Sequence, residues 1–403
     1  MNVSEAVILA AGEGSRMRPL TYARPKVMLP LVNRPILEHL LIELVEAGIN
    51  QFVFVVGYHE EEIRNYFGSG ERWHAVIKYV NQLKQAGTGD ALHSAEGLVK
   101  GSFLVVNGDV IISSENVRHL ANKPDMAMML FRAKEVAGLG VVETEGDRIV
   151  RIHEKSAKPP SNLANAGLYL FTPAIFDSIA KTEKSPRGEY EITDAIQSII
   201  NSGYPVHYHE IDHWFDLSYP WDLLSANEIE MRRIEPSVKG EIEENVFIKG
   251  VVNVGEKTLI RSGSYIVGPV IIGSECEIGP NCYIRAGTVI GDRCHIGAAV
   301  EIKNSIIMTG SKVPHLSYVG DSIIGRNCNL GAGTKIANLR LDKTEVIANN
   351  IHTGRRKLGA IIGDNVQTGI NASINSGCMI GDNAFIGPGA LAHGVIAPGT
   401  RVF

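Results

Sequence analysis

Hydrophobic and polar positions follow two different periods along the chain, and the change falls near residue 240. Before it, short apolar runs alternate with amphipathic stretches. "AVILA" (6–10), "FVFVV" (52–56), "VIKYV" (76–80) and "FLVVN" (103–107) predict buried strands. "ILEHLLIELVEAGI" (36–49), "EEEIRNYF" (60–67) and "DALHSAEGLV" (90–99) carry apolar residues at helical spacing. This alternation predicts a doubly wound, Rossmann-like α/β domain over residues 1–225, its mainly parallel sheet covered by helices on both faces. Ligands in such folds bind beyond the carboxyl ends of the strands. The segments after "AVILA" and "FLVVN" are therefore the first places to look for chemistry. Residues 220–235, "PWDLLSANEIEMRRIE", predict a connecting helix that stops before Pro236, with 226–240 as linker.

From about residue 241 the period is six. Ile242, Ile248, Val254, Ile260, Ile266, Ile272, Ile278, Ile284, Ile290, Ile296 and Ile302 are each six residues apart, and all are β-branched. The column four residues on is small or β-branched as well, from Val246 through Cys276, Cys282 and Cys294 to Ile306. A fixed short repeat marks a solenoid whose stacked turns share one core. The pattern resembles the left-handed parallel β-helix of hexapeptide-repeat proteins, expected here over 241–403. Cys328 and Cys378 hold the same place relative to Ile324 and Ile374, so all five cysteines read as core rather than metal ligands or disulfides.

Composition narrows the class. A chain of 403 residues with net charge −5 and 44% apolar content is an ordinary globular protein without the basic excess of a nucleic-acid binder. No apolar run is long enough to span a membrane, and "MNVSEAVILAAG" lacks the plan of a signal peptide, so a cytoplasmic protein is expected.

The six-step breaks after Ile302. Ile307 follows at five residues, Val313 and Val319 at six, and Ile324 at five again. A loop of about 25 residues, "ANLRLDKTEVIANNIHTGRRKLGAI", then interrupts the rhythm until Ile362. Function often sits on such interruptions. Around this one lie Arg285, Lys303, His315, Tyr318, Asn329, Asn338 and Lys357. Arg285 and Lys303 suit a phosphate. His315 could take the proton of an amine attacking a thioester, while Tyr318 and Asn329 hold the sugar and the amine. With every cysteine in the packing column, direct transfer is expected rather than an acyl-enzyme.

"HLSYVGDSIIG…NLGAGT" resembles the acetyltransferase domain of the bifunctional glucosamine-1-phosphate acetyltransferase / N-acetylglucosamine-1-phosphate uridylyltransferase family. The resemblance implies that His315 is the general base and that Arg285 and Lys303 bind phosphate. It gives Tyr318, Asn329, Asn338 and, more loosely, Lys357 to the sugar and its amine, and Ala332 and Gly387 to the acetyl-CoA groove. It also implies a homotrimer with this site between neighbouring β-helices. The chain departs from the family in reading "NLRLD" at 338–342, which bears on sugar specificity. It also ends soon after Pro398, without a tail that in some members helps hold acetyl-CoA.

The first strand is followed by "LAAGEGSRMRPLTYARPKVMLPL". Gly12 and Gly14 would let backbone approach phosphates, with Arg16 adding charge. Neither a dinucleotide fingerprint nor a Walker loop fits, because Met17 stands where the third glycine would be and no Gly-Lys-Ser/Thr follows. The segment resembles the sugar-1-phosphate nucleotidylyltransferases. That resemblance assigns Leu9, Ala11, Gly12, Gly14, Gln85, Gly87 and Thr88 to the nucleotide, with Gln85 and Gly87 reading a pyrimidine edge. It assigns Gly140, Glu154, Lys155, Asn165 and Gly167 to the sugar phosphate, Arg16 and Lys26 to catalysis, and Asp109 and Asp216 to Mg2+. The implied reaction is in-line attack of a sugar phosphate on UTP or dTTP with release of pyrophosphate.

Two other readings stay open at this point. A monofunctional nucleotidyltransferase could carry a β-helix that only trimerises the chain. A non-catalytic scaffold of the translation-initiation exchange-factor type would share both domains, but intact Arg16, Lys26, Asp109 and Asp216 argue against it. "RPKVMLPL" and "HEKS" also resemble glucose-1-phosphate thymidylyltransferases, so glucose-, N-acetylglucosamine- and galactosamine-type sugar phosphates all remain candidates.

Overall fold

The computed structural model describes residues 3–136, 138–154, 159–212, 214–215 and 217–403. The chain divides into two compact units. One holds Met1–Glu13, Arg24–Met28 and Pro35–Asp216; the other holds Gly14–Ala23, Leu29–Arg34 and Leu217–Phe403.

The first unit is built on a nine-stranded sheet. Val76–Asn81, Gln51–Val56, Glu5–Leu9 and Phe103–Asn107 lie side by side in that order, all parallel. Leu163–Phe171 then runs antiparallel to Phe103–Asn107, followed by Ala127–Arg132 and His207–Ile211. The parallel half is the part that the continuous β-branched runs predict, since buried parallel strands are apolar on both faces. Helices Ile36–Glu46 and Glu60–Phe67 form where predicted. The helix expected over 90–99 is instead Thr88–His93, followed by turns. Two apolar clusters, one on each face of the sheet, make the core.

The second unit is the hexapeptide solenoid. Three sheets of 9, 9 and 8 short strands stack with parallel pairing between successive coils, the three-sided plan of the left-handed β-helix. The six-residue column points inward: Ile260, Ile266, Ile278, Ile284, Ile290, Ile296 and Ile302 are all fully buried. Burying each such side chain contributes roughly 1.5–3 kcal/mol. The five cysteines are buried free thiols in the same core.

The coil begins earlier than the sequence pattern indicates. The helix is Asp222–Glu230, shorter than 220–235, and Ser237–Val238, inside the expected linker, already pairs with the next coil. A helical period cannot register a two-residue strand. Asn227 is fully buried on that helix: its Oδ1 accepts from Val32 N–H at 3.2 Å and its Nδ2 donates to the Gly287 carbonyl at 3.3 Å. This is why Leu29–Arg34 clusters with the solenoid.

Candidate active sites

In the first unit, the carboxyl ends of Glu5–Leu9 and Phe103–Asn107 lie next to each other, with Leu9 opposite Asn107. Asp109 follows the second strand. Lys26, at the start of a short 3-10 turn, places its Nζ 2.5 Å from Asp109 Oδ2. The pair is half-open, with 15% of the lysine and 36% of the aspartate side chain exposed, so solvent or a ligand can reach it. The Ala11 carbonyl accepts from Tyr58 N–H at 3.2 Å and from Gln85 Nε2 at 2.9 Å. Gln85 and Ala11, assigned to the nucleotide on the same resemblance, are thus brought together. Gly12 is exposed with open space on its side-chain face, so nothing within the protein requires glycine there.

Gly87 does require glycine. Its φ is 110°, and a Cβ would stand 2.5 Å from the Tyr190 carbonyl oxygen. Gly89 N–H donates to the same oxygen at 2.8 Å, and Thr88 Oγ1 accepts from Ile192 N–H at 3.1 Å. The loop at Gly87–Gly89 is therefore clamped by Tyr190 and Ile192. Gly140 is opposite Glu154, where a Cβ would meet Glu154 Oε2 at 2.7 Å. Glu154 also receives Thr193 Oγ1 at 3.3 Å and lies 3.5 Å from Arg187 Nη2. Asn165 Oδ1 accepts from Gly167 N–H at 2.9 Å, beside the register shift in its strand. Arg187 was missed by the sequence reading; its place in "RGEYEITD" carries no periodic signal. It contacts Glu154 and Glu191, and burial pushes the Glu191 carboxyl up against the pull of Arg187. Lys155 and Asp216 lie outside the described residues.

In the second unit, Gly14 adopts the left-handed conformation before the turn Ser15–Met17, and exposed Arg16 lies 5.9 Å over the Tyr219 ring.

The β-helix residues fall on two adjoining sheets. His315 ends Lys312–His315 and faces Ala298 of the preceding coil; its ring is exposed. Asn329 pairs with Lys312 on the same sheet. Gly333 N–H donates to the His315 carbonyl at 3.0 Å, which sets Ala332 beside His315 in the next coil. Gly387 follows Phe385–Ile386, a strand of this sheet further along, and a Cβ there would meet the Phe403 ring at 2.9 Å. The chain turns after His315 at Leu316, which has φ 51° and is 65% exposed. Equivalent corners elsewhere use residues such as Gly263, Asn281 and Gly333, for which that conformation is cheap.

The other sheet carries Arg285, Lys303 and Tyr318. Tyr318 is opposite Glu301, and Lys303 opposite Gly320. Arg285 Nη1 donates to Glu301 Oε1 at 2.9 Å, which holds the guanidinium even more firmly protonated. Lys303 Nζ lies 3.2 and 3.0 Å from the two Asp321 oxygens. Asn338 Nδ2 donates to Asp321 Oδ2 at 2.5 Å and to the Tyr318 hydroxyl at 3.1 Å. Burial, with Asp321 and Glu301 nearby, pushes the Tyr318 phenol up. Lys303, Tyr318 and Asn338 are therefore one cluster. The two five-residue steps supply it, since they shorten the corners that hold Lys303 and Asp321. Asn338 comes from the base of the inserted loop, closed by an antiparallel bridge between Leu339 and exposed Lys357. Asp321 and Glu301 were not singled out in the sequence, because a carboxylate beside a proposed phosphate site runs against simple charge matching.

The nucleotidyl transferase family model matches residues 5–232, the GMPPB C-terminal domain model residues 266–369, and the bacterial transferase hexapeptide model residues 359–394. The bifunctional protein GlmU of Methanococcus maripaludis strain C7 is 45% identical over 99% of this chain and 97% of its own length. GlmU of Methanocaldococcus jannaschii is 42% identical with the same coverage. A bifunctional sugar-1-phosphate nucleotidylyltransferase/acetyltransferase of Sulfurisphaera tokodaii is 39% identical over 96% of this chain and 97% of that protein. Among solved structures, a putative glucose-1-phosphate thymidylyltransferase from Bacillus anthracis matches with TM-score 0.53 and 29% identity over 58% of this chain and 97% of that one.

Proposed function

The chain belongs to the family of bifunctional sugar-1-phosphate nucleotidylyltransferase/acetyltransferases, and from that premise we propose how its two sites make UDP-N-acetylglucosamine. It is a two-reaction enzyme. The β-helix transfers acetyl from acetyl-CoA to the amine of glucosamine-1-phosphate. The nucleotidyltransferase domain couples a sugar-1-phosphate to a nucleoside triphosphate and releases pyrophosphate. The observation that carries this reading is that one chain presents both charged sets together: Lys26 on Asp109, and Lys303 in the cluster with Tyr318 and Asn338.

In acetyl transfer, Arg285 and Lys303 hold the sugar phosphate, and Tyr318, Asn329 and Asn338 orient the sugar. The amine attacks the thioester carbonyl, its proton passes to the exposed ring of His315, and the imidazolium returns it to the leaving sulfur, so that CoA departs as the thiol. Ala332, in the turn after Asn329–Leu330, and Gly387, just past Phe385–Ile386, line the acetyl-CoA groove.

In nucleotidyl transfer no general base is needed, because the sugar phosphate is already an anion. Positioning and charge neutralisation do the work. Gln85 and Gly87 read the pyrimidine, Glu154 and Asn165 the sugar, and Lys26 and Arg16 the phosphates. Mg2+ is held through one or two carboxylates plus substrate phosphates, and a half-open carboxylate at a strand end suits it. Asp109, with Asp216, would hold it, and when bound it neutralises charge on the reacting phosphates. Among the described residues no helix is long and apolar enough to cross a membrane, which supports a cytoplasmic enzyme. The hexapeptide domain supports a homotrimer.

The test supplies acetyl-CoA, glucosamine-1-phosphate and either UTP or dTTP, with Mg2+ or with EDTA, and separates the products by mass. UDP-N-acetylglucosamine in the UTP arm, lost with EDTA, is the expected result. Pyrophosphate release without any acetylated product would reduce the β-helix to a scaffold.

A further inference from the structure

The charged cluster on the β-helix has a centre that the substrate assignments leave out. Asp321 is 3% exposed in its side chain, and each side-chain hydrogen bond it makes leads to a proposed substrate residue or its neighbour. Its carboxylate accepts from Lys303 Nζ at 3.0 and 3.2 Å, from Asn304 Nδ2 at 3.0 Å and from Asn338 Nδ2 at 2.5 Å. Asn338 in turn donates to the Tyr318 hydroxyl at 3.1 Å. The backbone is tied on both sides as well. Asp321 N–H donates to the Lys303 carbonyl at 2.9 Å, and its own carbonyl accepts from Gly359 N–H at 2.8 Å where the inserted loop returns.

The corner explains how a carboxylate comes to be there. Gly287, Asn304 and Asp321 turn successive coils with φ of 82°, 45° and 49°. Glycine, asparagine and aspartate are the residues that tolerate this left-handed conformation. Any of the three would satisfy the turn, but only aspartate brings a charge. A buried carboxylate is stable when it is paired and hydrogen-bonded, and this one has four donor contacts. Lys303, with 21% of its side chain exposed, has a long flexible stem that loses most of its rotamer freedom when both oxygens hold its ammonium.

We propose that Asp321 is the positioning residue of the acetyl-acceptor site: it fixes Lys303 and Asn338, and through Asn338 the Tyr318 hydroxyl, in the arrangement that receives the amino-sugar phosphate. This rests on the reading of this face as the acetyltransferase site. Asp321 does not itself touch the reacting atoms. Its removal leaves Lys303 without its anchor and Asn338 without its stronger acceptor, so acceptor binding weakens while thioester binding does not.

The experiment compares full-length wild type with Asp321→Asn and Asp321→Gly, both of which suit the corner. Acetyl transfer is measured against varied glucosamine-1-phosphate and varied acetyl-CoA; circular dichroism and thermal unfolding report that the β-helix is folded, and uridylyl transfer that the first unit is. KM for glucosamine-1-phosphate is expected to rise about tenfold or more, with KM for acetyl-CoA and the uridylyl rate unchanged. In a Lys303→Met background the same changes should add less than about twofold, since interacting residues are not additive. An unchanged acceptor KM, an equal rise in both KM values, or full additivity with Lys303→Met would overturn the proposal. Wild type without acetyl transfer would instead remove the reading beneath it. Should Asp321→Asn fail to fold, the glycine variant carries the same test, as Gly287 already turns this corner two coils earlier.

Discussion

The two charged centres of this molecule are assembled in opposite ways. In the nucleotidyltransferase domain, Lys26 meets Asp109 across 83 residues of chain, because two parallel strands bring their carboxyl ends side by side. In the β-helix, Arg285 meets Glu301 across 16 residues and Lys303 meets Asp321 across 18, because consecutive coils stack. The open sheet gathers chemistry at one edge from distant loops. The solenoid gathers it along one wall from near-repeats. A fault in a loop should therefore harm one residue of the first site, whereas a fault in one coil should disturb every neighbour of the second.

The largest expected effect is on the sheet's edge. Asp109→Asn should lower uridylyl transfer about a thousandfold while acetyl transfer stays at the wild-type rate, measured as pyrophosphate and thiol release in one preparation. Equal losses in both would erase the separation. Ile296→Ala tests the shared wall: it opens a cavity in the coil that pairs with His315's strand and should cost about 2–5 kcal/mol, read by denaturant unfolding. Acetyl transfer should lose thermal resistance before uridylyl transfer does. Gly87→Ala is the loop counterpart. Strain against the Tyr190 carbonyl should cost about 1–3 kcal/mol and raise KM for the nucleotide, leaving acetyl transfer alone. The smallest effect concerns the solenoid's thiols. Burial pushes Cys328 and Cys378 up to about 12, so at pH 8.5, where a free cysteine is about half thiolate, they stay protonated. Alkylation of the native protein should be slow at both and become fast only on unfolding. Rapid native labelling would mean the coils open.

The same contrast governs what the sequence disclosed. The β-branched column made the solenoid legible, because a six-residue period has one physical solution. The strands 52–56 and 103–107 were legible because parallel strands are apolar throughout. The antiparallel strand Leu163–Phe171 was not, since its bulge at Asn165 disrupts the alternation. Ser237–Val238 was too short to register. Motif residues such as Lys26 and Asp109 could be singled out from the sequence, and so could Lys303 and His315. Asp321, which holds Lys303, and Arg187, which contacts Glu154, were not, because a residue that acts by holding another leaves no period and no motif of its own.

The central claim is that two reactions run at two separate sites on this chain. It is met most directly by His315→Ala, assayed for CoA thiol release from acetyl-CoA and glucosamine-1-phosphate and for pyrophosphate release from UTP and N-acetylglucosamine-1-phosphate. The account predicts a loss of thiol release of about a hundredfold to ten-thousandfold with pyrophosphate release intact. Thiol release that survives in the variant, or loss of both activities in a folded chain, would contradict it.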